Sequence, residues 1–145
     1  MFCAATELAA LHQTDYVVCD GTFEMAPNTA YQLYTIHGFV NGEALPLAWA
    51  LLPNKSQTTY IELFSAIRSS LTNTFGDVGN DKTFLVDFKL RAINALRQVF
   101  HESRIKGCLF HFRQALYRPI QTRVRKHRVS HSKMVTADNV PHCIT

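Results

Sequence analysis

Asn41-Gly42, set between two apolar runs, constrains this chain more than any other feature. Before it stands Tyr31 to Val40 (YQLYTIHGFV) and after it Glu43 to Leu52 (EALPLAWALL), both rich in residues that favour strands. An Asn-Gly pair supplies the positive φ angles that a two-residue hairpin turn demands. The two runs are therefore expected to pair antiparallel, as strands two and three. Pro46 removes one ladder donor from strand three, which places that strand at a sheet edge or at a bulge.

Upstream, Tyr16, Val17, Val18 and Cys19 lead into Asp20 and Gly21 and read as a first, buried strand over 16–20. A carboxylate in such a strand is costly to bury unless it binds a cation, pairs with a base or caps a turn. Asp-Gly is also a turn signal in its own right, so Asp20 alone decides nothing.

The remainder of the chain supplies its context. Residues 5–13 suit a short helix with Leu8 and Leu11 on one face. From Thr58, Tyr60, Ile61, Phe64, Ile67 and Leu71 recur at helical steps. A polar loop over 73–82 precedes Thr83 to Val86, a fourth strand ending at Asp87. Leu90, Ile93, Leu96 and Phe100 mark a second amphipathic helix, and Arg104 to Leu109 a weaker fifth strand. A third helix is expected to start near His111 or Phe112, with Pro119 kinking or ending it.

The order β-β-β-α-β-α-β-α fixes a topology. Three antiparallel strands come first, and a right-handed helical crossover must lay strand four parallel to one already present. Strand three carries the proline, so strand one is the open partner and the sheet order is 3-2-1-4-5. Asp20 and Asp87 then stand at the carboxyl ends of neighbouring strands about 4.8 Å apart, where open α/β sheets place ligands. Two carboxylates this close repel unless a proton or cation lies between them. Magnesium is held in this way, and a pair of such ions can clamp an in-line phosphoryl displacement.

These residues carry a resemblance. DGTFEMAP, YQLYTIHGF, LPLAWALLPNKSQTTYIELF, FLVDFKLRAINALRQVF and IKGCLFHFRQAL, in this order over about 15–121, are similar to the transposase domain of Mutator-like elements. The resemblance implies an α/β, ribonuclease H-like fold with a five-stranded mixed sheet. It also implies metal-dependent DNA strand cleavage and transfer, with Mg2+ or Mn2+ as cofactor and transposon-end DNA as partner. Asp20 matches the family's first catalytic and metal-binding acid, Asp87 its second, and Cys108 with His111 its Cys-x-x-His motif. A homodimer is left open.

Three departures accompany the resemblance. The family's third acid is a glutamate on a later helix, whereas here no glutamate follows Glu102, so the domain is expected to be truncated at its C-terminal end. Lys89 stands where the family often has glutamate, two residues from Asp87. The family's separate zinc-finger module has no counterpart. Residues 1–14 read as an N-terminal helical remnant, 15–121 as the transposase-like domain and 122–145 as a basic, disordered tail.

Charge follows this division. Residues 1–117 hold nine Lys and Arg against ten Asp and Glu, whereas 118–145 hold six against one, so the tail supplies the basic character. Arg123, Arg125, Lys126 and Arg128 can touch DNA phosphates, though a short basic run is usually a solvated tail.

Cys108 and His111 have the gap of a zinc half-site, but the other cysteines and histidines are scattered and zinc is not expected. Cys108 reads more simply as a buried strand residue, His37 as a strand histidine, and Trp49, Phe64, Phe84 and Phe100 as core. The cysteine spacing suits reduced thiols of a nuclear or cytoplasmic protein. No apolar run approaches the ~20 residues of a membrane span, the N-terminus is a poor secretory signal, and no small-molecule substrate is indicated.

Three functional readings stay open: a transposase core inactive as this chain, a domesticated non-catalytic DNA- or protein-interaction module, and a nuclease that obtains its third acid elsewhere.

Overall fold

At the hairpin turn, Asn41 has φ 53° and Gly42 φ 85°, the left-handed pair that two-residue turns require. The structure, a computed structural model, describes residues 1–22, 25–76, 82–109, 111–113, 115–117 and 119. The chain divides into two units, Met1–Cys108 and Leu109–Thr145.

The first unit runs α1 (Ala5–Gln13), β1 (Tyr16–Thr22), β2 (Gln32–Val40), β3 (Glu43–Leu52), α2 (Gln57–Phe75), β4 (Thr83–Val86), α3 (Leu90–Val99) and β5 (Arg104–Gly107). The five strands form one mixed sheet in the order β3-β2-β1-β4-β5. β1 pairs antiparallel with β2 and parallel with β4, as the crossover argument requires. Pro46 has both consequences expected of it. β3 is an edge strand, and the ladder slips opposite Pro46, where His37 pairs with Pro46 while Ile36 pairs with Ala48. The slip makes Leu47 an extra residue, which is why Leu47 and Ala48 are buried in succession.

The core lies on the sheet face that carries Val17, Cys19, Tyr34, Ile36, Phe84 and Val86. α2 covers it with Tyr60, Leu63, Phe64, Ile67 and Leu71, and α3 with Ala92, Ala95, Leu96 and Val99, followed by Phe100. Tyr34 packs against Tyr60 and Phe64, and Phe84 against Phe100. The void left between Leu11, Val17, Ile36, Phe64 and Phe84 measures about 10 Å³, in keeping with a close-packed interior. α2 starts at Ser56, whose hydroxyl accepts from the Thr59 N–H at 3.2 Å, and ends at Gly76 with φ 87°.

Residues 1–14 fall within the first unit, and several residue-level expectations need correction. Leu11 is in the core, Phe2 exchanges backbone hydrogen bonds with Trp49, and the buried Lys82 ammonium donates to the carbonyls of His12 and Thr14 at 2.9 and 2.6 Å. Trp49 is only half-buried, because strand alternation turns it to the face away from α2 and α3. Leu90 is 65% exposed, because it lies on the face of α3 opposite Ala92, Ala95, Leu96 and Val99, which meet the core. β1 is two residues longer than expected and β5 two shorter. Cys108 therefore lies past β5, half-buried, and not inside a strand.

In the second unit the described residues from 109 to 119 are helical, Pro119 included, so this helix begins slightly before His111. The tail over 122–145 lies outside the described residues. Among the described residues no helix is long and apolar enough to cross a membrane.

Candidate functional site at the carboxyl ends of β1 and β4

The last parallel pair between β1 and β4 is Cys19 with Val86. One further step along both chains reaches Asp20 and Asp87, with no strand between them. Asp87 is 8% exposed and Asp20 half-buried. Their charges reach inward: burial first, then Asp87 and Asp20, pushes the Cys19 thiol far up from its ordinary range. Tyr34 is raised too, by burial and then by Cys19, Asp87, Tyr60 and Asp20.

The turn from Asp87 into α3 is built around one basic side chain. The Lys89 ammonium lies 2.7 Å from Asp87 Oδ2, while the Lys89 backbone N–H donates to Asp87 Oδ1 at 3.3 Å. The same ammonium donates to the Gly21 carbonyl on β1 at 3.3 Å. Two glycines make room for this arrangement. A Cβ on Gly21 would stand 2.8 Å from Gln32 Oε1, 3.0 Å from the Tyr34 ring and 3.1 Å from Lys89 Nζ. A Cβ on Gly107 would stand 2.9 Å from the Phe88 ring, so β5 seats the residue between Asp87 and Lys89.

Beside this edge opens a groove of about 280 Å³ lined by Lys55, Tyr60, Lys89, Leu90 and Arg91. It lies where α2 and α3 begin, and neither helix has an acidic residue in its first turn. Three basic side chains and the positive ends of two helices therefore share one groove, a setting that favours anions. The sequence offered a weak signal for it, Lys55 and Arg91 each standing at a helix start.

Cys108 stands at the same edge, one residue past the Val86–Gly107 pair that ends β4 and β5. Cys108 donates its backbone N–H to the Val86 carbonyl, and His111 belongs to the second unit. Arg123, Arg125, Lys126 and Arg128 lie outside the described residues. Among the described residues no three His, Cys, Asp or Glu side chains form a metal-binding group.

The residues present do not fit a divalent ion as they are arranged. Both oxygens of Asp87 are engaged by Lys89, and the ammonium bridges to β1 where a shared cation would need to approach. The arrangement is a carboxylate pair with its counter-ion supplied by the chain.

A family model described as the MULE transposase domain matches residues 16–115. No curated protein and no solved structure matches the chain.

Proposed function

This chain belongs to the MULE transposase domain family, and on that premise we propose that it is a DNA-binding transposase core that does not cut DNA by itself. The observation that carries the reading is the parallel β1–β4 pair, which sets Asp20 and Asp87 at one edge of the sheet beside the basic groove. The strand order and these two acids support a ribonuclease H-like assignment, in which Asp20 and Asp87 are the descendants of catalytic acids.

The groove supplies the DNA contact. Lys55 and Arg91 are exposed, and among the described residues neither is ion-paired. Phosphate oxygens meeting them, together with N–H groups at the starts of α2 and α3, would be held by charge and not by sequence. The acid edge is then close to the backbone, but the ion pair between Asp87 and Lys89 leaves it without the charge arrangement that strand cleavage in this family implies. This favours a DNA-binding role over an autonomous nuclease.

Fluorescence anisotropy with duplex DNA tests the reading. Binding should weaken steeply with salt, and Lys55→Ala with Arg91→Ala should weaken it uniformly across sequences and lower the salt slope by about two. Binding that is absent at low salt, or unchanged in the double variant, would count against it.

A further inference from the structure

We infer that Lys89 is a tethered counter-ion that closes the Asp20–Asp87 site to divalent cations. The inference rests on the reading that the two acids form one site, and it adds what occupies that site. Three contacts of one residue carry it: ammonium to Asp87 Oδ2 at 2.7 Å, backbone N–H to Asp87 Oδ1 at 3.3 Å, and ammonium to the Gly21 carbonyl at 3.3 Å. The first two give each oxygen of Asp87 a contact with Lys89. The third carries the positive charge across to β1, one residue past Asp20.

Geometry makes the closure local and durable. Lys89 is the N-cap residue of α3, so its backbone is set by the helix while its side chain folds back over Asp87. Side-chain exposure is 28% for Lys89 and 11% for Asp87, so solvent screens the pair only in part. Gly21 gives the ammonium its approach, since a Cβ there would stand 3.1 Å from Nζ. A divalent ion entering between the strands must displace an ammonium already there or sit beside it, and like charges at such range repel strongly.

Titration of the DNA-free protein with Mn2+, followed by the electron paramagnetic resonance of the unbound ion, tests the closure. The wild-type chain should bind no better than millimolar. Lys89→Gln and Lys89→Met, which remove the charge, should bind about tenfold tighter or better. Lys89→Arg should behave as wild type, and adding Asp87→Asn to Lys89→Gln should abolish the gain. Equal affinity in wild type and both neutral variants overturns the proposal, as does wild-type binding already as tight as theirs.

A wild-type measurement keeps the proposal open to failure if the neutral variants do not fold. In acetylation footprinting Lys89 should label several-fold more slowly than the exposed Lys55, with or without Mn2+; equal rates overturn it. Neither measurement involves DNA, so failure of the closure and failure of the DNA-binding reading are told apart by the anisotropy experiment.

Discussion

Tyr34 shows how a single residue near the acid edge can weigh against the fold. Its hydroxyl is buried with no hydrogen-bond partner among the described residues, whereas the neighbouring Tyr60 hydroxyl accepts from Gln32 Nε2 at 2.9 Å. Tyr34→Phe removes an unsatisfied group and should leave thermal stability unchanged or raise it by up to about 1 kcal/mol. Tyr60→Phe leaves Gln32 Nε2 with only its longer contact to the Asn54 carbonyl, at 3.5 Å, and should cost about 1 kcal/mol. Equal losses in the two variants would show that Tyr34 is satisfied after all.

The same edge sets the alkaline limit of the fold. Cys19 and Tyr34 have raised pKa values, so the unfolded chain sheds their protons first, and stability present below their ordinary pKa values is lost as pH rises. Lys82 runs the other way: burial lowers its pKa, partly offset by Asp15, so its contribution recovers as pH rises. Two losses against one gain predict a melting temperature that falls between about pH 9 and 11, more steeply in Lys82→Met. A flat profile in both proteins would contradict this balance.

Among the elements, turn chemistry and β-branched runs carried most of the information. Asn41-Gly42 set the hairpin, Pro46 set the edge, and the crossover rule then left one place for β4, so the strand order was legible in the residues alone. What escaped was decided by side-chain direction. Leu90 stands one helical step before Ile93, yet it projects from the face of α3 opposite Ala92, Ala95, Leu96 and Val99. Trp49 alternates onto the less covered face. The positions of Asp20 and Asp87 followed from topology, but the fold-back of Lys89 over Asp87 depends on a rotamer and on space at Gly21, which no spacing encodes.

The β1–β4 register can be tested directly at this scale. In parallel neighbours Cα atoms are about 4.8 Å apart, within disulfide range. Asp20→Cys with Asp87→Cys should cross-link under mild oxidation, as should the register control Val18→Cys with Leu85→Cys. Cross-linking of the control without the acid pair would show that the strands diverge before they reach the site.

For the molecule as a whole, the sheet unit places an acid edge, an internal ammonium and a basic groove side by side in a MULE transposase domain. On the proposed reading, DNA is a ligand that the chain holds without cutting it. The most direct measurement is strand cleavage of DNA carrying terminal inverted repeats, with Mn2+ or Mg2+ present, compared with an Asp20→Asn control at protein concentrations that bind the DNA. The account predicts no product above that control. Metal-dependent nicking by the wild-type chain that is lost in both Asp20→Asn and Asp87→Asn would contradict it.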